Sequence, residues 1–147
     1  MKEKTDINQV QNSIVDEFLV FDDWIDKYNY LIELGKELPV IDSRYKTKDF
    51  LIEGCQSKVW LHPEFDGDII TFTADSDAII TRGIVSLLIK VLSGRTPQEI
   101  ISTDLFFIDK ISLRQNLSPT RSNGLLSMVR QMKLYAMAYN ARTKLNN

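Results

Sequence analysis

The spacing of apolar residues changes twice along this chain, and the order of those changes constrains the fold more than any single motif. Ile7, Val10, Ile14, Phe18 and Phe21 recur every three or four positions, as one face of a helix requires, and Asp6 stands where an N-cap belongs. A second stripe, Trp24, Tyr28, Leu31, Ile32 and Leu34, follows Asp22 and Asp23, either of which can cap it, and Pro39 stops it. With almost no linker between them, the two predict a helical hairpin or bent pair. Residues 40–48 are polar and read as loop. The period then drops to two. Phe50 to Ile52 reads as a short strand, and Ser57–Phe65 and Asp68–Asp75 flank Asp66-Gly67, a hairpin signal. After Ser76 the helical pattern returns.

Residues 78–92 are apolar nearly all round, which predicts a buried central helix closed by Gly94 as a C′ glycine. Thr96-Pro97-Gln98-Glu99 is a capping box with proline at N1. A short helix follows, then the aromatic patch Leu105-Phe106-Phe107. Ser118-Pro119 opens a last helix with Leu125, Met128, Met132, Tyr135 and Tyr139 on one stripe, and the tail from Asn140 is expected to fray. Two helices, a small antiparallel sheet of three strands, then more helices: this grouping predicts an α+β fold, not an alternating parallel sheet. The 147 residues suit one domain spanning 1–147, with an ordered core of roughly 6–140.

A formal charge of −2 gives no electrostatic reason to expect nucleic acid or an anionic membrane as partner. The most apolar stretch, Ile84 to Leu92, is too short to span a bilayer and contains Lys90. The start, MKEKTD, lacks the apolar segment of an export signal, and the chain has one cysteine; both point to a reducing cytoplasm.

That cysteine, Cys55, lies in EGCQSKVW at a loop-to-strand junction. A single thiol is commonly just a small buried hydrophobe. Its neighbours point elsewhere. Gly54 permits unusual dihedrals and a close backbone approach, and Gln56 and Ser57 offer hydrogen bonds but no strong base. A cysteine hydrolase needs a histidine beside the sulfur. The only histidine, His62, is seven residues on. In an extended segment that is about 23 Å away and on the opposite face. No Cys-x-x-Cys pair exists, and two Cys or His residues in all are too few for a structural zinc site. What remains is a thiol that exchanges sulfur with another protein, which needs one cysteine, access and a partner.

EGCQSKVWL, followed by ADSDAIITRGIVSLLI, TPQEI and LSPTRSNGLLSMV, resembles the SufE family of sulfur acceptor proteins, in order and spacing from about Phe18 to Lys133. The resemblance implies the fold shared with IscU-type scaffolds. It also implies a function: accepting persulfide sulfur from a pyridoxal-phosphate cysteine desulfurase, SufS, stimulating that enzyme, and passing sulfur towards the SufBCD scaffold for iron–sulfur cluster assembly. By that reading Cys55 is the acceptor. The chain carries no pyridoxal phosphate, metal or cluster of its own and is a sulfur-transfer partner, not a stand-alone enzyme. A homodimer is compatible with it.

Asp75 and Asp77 follow a strand and open a helix, which is ordinary capping by position; the resemblance adds that their loop helps hold the Cys55 loop. Arg121, in the first turn of a helix, opposes the macrodipole preference for acids there. It is either a solvated surface residue or a group that favours the thiolate or persulfide, and it matches the family's arginine in this segment. The expected site is therefore Cys55 supported by Gly54, Gln56, Ser57, Asp75, Asp77 and Arg121. His62 reads as a surface strand residue and Trp60 as core with a polar handle. The alternative function is a binding module in which Cys55 is only packing; blocking Cys55 by alkylation separates the two.

Overall fold

A computed structural model describes residues 6–146. Met1–Thr5, part of the start read above for an export signal, and Asn147 of the tail lie outside the described residues. Helix α1 spans Ile7–Leu19, with the Asp6 carboxylate accepting from the N–H groups of Asn8 and Gln9. Its buried face carries Gln11, Ile14 and Phe18. Phe21 falls past the end of the helix, and its ring meets Tyr30 at 5.2 Å instead of extending the stripe. Helix α2, Trp24–Gly35, is capped by Asp23, whose carboxylate accepts from the Asp26 N–H at 2.9 Å.

Strands β1, Val59–Phe65, and β2, Ile70–Ser76, pair antiparallel with Val59 opposite Ser76 and Phe65 opposite Ile70. The turn between them is fastened by Asp66, which accepts from Asp68 and Ile69 N–H groups at 2.8 Å, while Gly67 takes φ +99. Val59, Leu61, Ile70, Phe72 and Ala74 point into the core. The expected third strand is not formed, so the sheet has two strands. The N–H groups of Phe50 and Leu51 close a 3₁₀ turn over Lys48–Phe50, bonding Thr47 and Lys48 carbonyls. Only Leu51 then bridges Trp60, with the Ile52 N–H on the Val59 carbonyl, before Gly54 turns the chain away. Trp60 lies on the outer face, where the Lys46 ammonium sits 4.8 Å above its ring; it is not a core residue.

Helix α3, Ile79–Leu92, is the buried centre, with nine of its residues shielded from solvent. It packs backbone to backbone on α2. A Cβ at Gly83 would stand 2.1 Å from the Leu31 carbonyl oxygen, and one at Gly35 would stand 3.0 Å from Gly83 N. Gly94, φ +77, ends the helix and donates to the Ile70 carbonyl. The capping box of α4, Pro97–Ser102, forms in both directions between Thr96 and Glu99. A short α5, Phe107–Lys110, buries Phe107. Helix α6 runs Pro119–Asn146 and buries Leu125, Met128, Met132 and Ala136 along one stripe. The tail expected to fray continues this helix, with the Thr143 hydroxyl bonded back to the Tyr139 carbonyl at 3.0 Å. No proline or glycine follows Gly124 to stop it.

Candidate functional site

The loop between Ile52 and β1 lies against the first turns of α6, and three consecutive residues meet one face of that helix. Gly54 has φ +89, which favours glycine, and a Cβ there would stand 2.6 Å from Ser127 Oγ, so that hydroxyl would have to rotate away. The Cys55 thiol points at the Gly124 carbonyl, Sγ to oxygen 3.7 Å. The Thr120 hydroxyl donates to Gln56 Oε1 at 2.9 Å. Positions 120, 124 and 127 are spaced i, i+4 and i+7, one helical face, and they take residues 56, 55 and 54 in reverse order. Gly124 leaves the approach uncrowded: a Cβ there would stand 3.4 Å from Cys55 Sγ, in close van der Waals contact with it.

Cys55 is half-buried, and burial pushes its thiol pKa up, because the anion loses hydration and gains nothing in return. The pocket beside the sulfur has room for about 10 Å³, the scale of one small molecule or atom. Thr81, Ile84, Met128, Ser57, Thr120 and Arg121 line it, so no side chain among these is a base. His62 takes no part. It stacks on Tyr45 with ring centroids 3.7 Å apart and meets Phe50 edge-on at 4.7 Å, half-buried instead of free on the surface.

The two aspartates separate. Asp77 is a loop anchor: its carboxylate accepts from the Lys58 N–H at 3.0 Å and its own N–H donates to the Lys58 carbonyl at 3.3 Å. It does not cap α3: the N-cap is Ala78, no side chain bonds the N–H groups of the first turn, and the Ser76 hydroxyl accepts only from the N–H of Ala78 itself. Asp75 is not among the residues lining the thiol pocket; its carboxylate pairs with Lys46 Nζ at 3.0 Å and Arg82 Nε at 3.3 Å. Burial resists its ionisation, but the Lys46 bond, the Ser76 N–H and the charges of Lys46 and Arg82 outweigh that and hold its pKa below the usual value. Arg121 lines the pocket, its N–H on the Ser118 hydroxyl, and among the described residues no carboxylate pairs with it. Ser57 lines the same pocket.

Sequence reasoning passed over Thr120, Gly124 and Ser127. Gly124 gave the available signal: a glycine inside a helix costs about 0.5–1 kcal/mol relative to alanine and wants a packing reason. Among the described residues, no group of three or more His, Cys, Asp or Glu side chains is placed to hold a metal, and no helix is long and apolar enough to cross a membrane.

Fold and site together define a small α+β protein with one half-buried thiol on a loop clamped to a helix. The family described as SufE, a Fe-S metabolism associated domain, matches residues 12–136. The chain is 44% identical over 127 residues to an uncharacterised SufE-like protein of Rhizobium etli, covering 83% of this chain and 86% of that one. It is 41% identical over 127 residues to another from Rhizobium meliloti, covering 83% and 91%. With SufE-like protein 1, chloroplastic/mitochondrial, of Arabidopsis thaliana it shares 42% over 112 residues, 76% of this chain but 30% of the plant protein. In fold it is similar to the solution structure of a hypothetical protein from Thermus thermophilus, with a TM-score of 0.74 at 15% identity, covering 90% of this chain and 96% of that one. This chain belongs to the SufE family, a family associated with iron–sulfur metabolism.

Proposed function

We propose that the protein is a sulfur acceptor: Cys55 takes persulfide sulfur from a SufS-like cysteine desulfurase, stimulates that enzyme by clearing its product, and delivers the sulfur towards a SufBCD scaffold. The observation that carries the reading is the single thiol on a glycine-hinged loop, held by hydrogen bonds that can be undone, with no base beside it. Family membership supports it.

The chemistry needs no more than this. The Cys55 thiolate attacks the terminal sulfur of the donor's cysteine persulfide. A new S–S bond forms at Cys55, the donor's S–S bond breaks, and the donor leaves as a thiolate that takes up the proton Cys55 released. There is no net oxidation or reduction, so the acceptor requires no cofactor; pyridoxal phosphate belongs to the donor. In the inward position the thiol is kept protonated by burial and is therefore quiet. Swinging out about Gly54 hydrates it and lets it ionise at the donor. Swinging back places one added sulfur at a pocket of about that size, away from cytoplasmic reductants.

The test is to mix the protein with a SufS-type desulfurase, pyridoxal phosphate and cysteine, and to weigh the Cys55 peptide. Gain of one sulfur is expected. Cys55→Ser should keep the fold and abolish stimulation of the desulfurase, since oxygen cannot carry the transferred sulfur. Stimulation by Cys55→Ser equal to wild type would overturn the reading.

A further inference from the structure

A groove of about 520 Å³ begins one residue from Gly54 and runs between residues 48–53 and α6. Its helical wall is Ser127, Arg130, Gln131, Leu134 and Tyr135, spaced i, i+3, i+4, i+7 and i+8. Leu134 is 45% exposed there. Helix α6 carries Arg121, Arg130, Lys133, Arg142 and Lys144 and not one Asp or Glu. Lys133 reaches the Thr103 carbonyl and Arg142 lies over Tyr139, but among the described residues no carboxylate pairs with Arg121 or Arg130. The facing wall brings Lys48, Asp49 and Glu53.

We propose that this groove is where the sulfur donor docks: a segment of the donor protein lies along α6, with a carboxylate on Arg130 and an apolar side chain covering Leu134. The inference rests on the sulfur-acceptor reading and specifies the partner's surface. Charge selects the occupant. A second copy laying its own α6 here would bring cations against cations. A nucleic acid would place phosphates against Asp49 and Glu53. A polypeptide segment can set a single carboxylate on Arg130 and an apolar side chain on Leu134, both on α6, without laying a row of anions against Asp49 and Glu53. The groove is also continuous with the acceptor loop. Ser127 forms part of its wall and is the residue against which Gly54 packs, and Glu53 on the other wall precedes Gly54. A donor seated here bears directly on the clamp that holds Cys55 inward.

The experiment measures affinity for a SufS-type desulfurase by calorimetry at low and moderate salt, with wild type, Arg130→Glu, Leu134→Asp and Lys144→Glu. Sulfur gain on Cys55 and alkylation of the free protein are followed in parallel. Both groove variants should weaken binding by about tenfold or more. Wild-type affinity should fall with salt, and Arg130→Glu should flatten that dependence. Lys144→Glu makes the same charge change at the far end of α6 and should bind as wild type does. Free-protein alkylation at Cys55 should match wild type in all variants, which shows the fold and clamp intact. If wild type gains sulfur and both groove variants bind as tightly, or if Lys144→Glu weakens binding as much as Arg130→Glu, the docking site falls and the acceptor reading stands. If wild type neither binds nor gains sulfur, both fall.

Discussion

Cys55 differs from a free cysteine in its surroundings, not in any activating group. Half-burial, a carbonyl at 3.7 Å and a pocket with no base all favour the neutral thiol. Because its pKa is raised on folding, the folded chain holds the thiol proton to higher pH than the unfolded chain does. Between those two pKa values the folded state binds more protons, so stability falls as pH rises through the ordinary thiol range. Alkylation by iodoacetamide should therefore be slower than for a cysteine peptide near pH 8 and should rise with a midpoint at higher pH. A wild-type rate equal to the peptide's would show that the thiol is not guarded. Asp75 runs the other way. Its pKa is lowered, so its contribution is present above the usual carboxylate pKa and lost as pH falls through the lowered one. In acid melts of Asp75→Asn against wild type, the stability difference should shrink as pH drops through that range; a constant difference would show that its charge is not what matters. The residue-level signals in the sequence were mixed for a physical reason. Gly54 and Cys55 announce themselves by type, whereas Thr120 and Ser127 are ordinary helix-surface residues until the fold brings a loop onto them.

The loop, α3 and α6 form the mechanical unit. The loop is tied at one end by Asp77 to Lys58 and at the other to positions 120, 124 and 127 of α6. Since Asp77 does not cap α3, replacing it tests the loop without unmaking the helix. Asp77→Ala removes a hydrogen bond of about 1 kcal/mol, which would raise an opening-limited alkylation rate about fivefold. Helix content by circular dichroism should be unchanged. An unchanged alkylation rate would show that the Lys58 contact does not restrain the loop. This is also where reading by pattern failed in an instructive way. An aspartate between a strand and a helix reads as a cap, but here α3 starts from Ala78 with no side-chain cap, and the Asp77 carboxylate is spent on the Lys58 N–H of the loop. The third strand failed for a similar reason: Phe50, Leu51 and Ile52 are strand formers, yet two of their N–H groups close a turn. Periodicity detects which side chains are apolar, not how neighbouring backbone groups share their hydrogen bonds.

For the whole molecule, the position of the site depends on α3, because its buried face seats α2 on one side and its Thr81 and Ile84 line the thiol pocket on another. The apolar run from Ala78 to Leu92 made this helix legible as central. The contact that sets its depth was not legible, since Gly83 and Gly35 look like weak points in two helices until their backbones are seen to touch. With Gly83 Cβ held 2.1 Å from the Leu31 carbonyl, no rotamer relieves the clash, and α2 and α3 must part. Gly83→Ala should therefore destabilise by about 1–3 kcal/mol, despite alanine's better helix propensity. At roughly 3 °C per kcal/mol for a domain of this size, the melting temperature should fall by several degrees. Movement of α3 would also disturb the Thr81–Ile84 wall, so alkylation at Cys55 should speed up well below the melting transition. Gly67→Ala is the control: its Cβ would meet nothing, and its strain at φ +99 is confined to the hairpin turn, so it should cost stability without changing Cys55 reactivity. Equal alkylation in Gly83→Ala and wild type would show that the pocket is held by α6 alone, and that α3 sets the molecule's stability but not its chemistry.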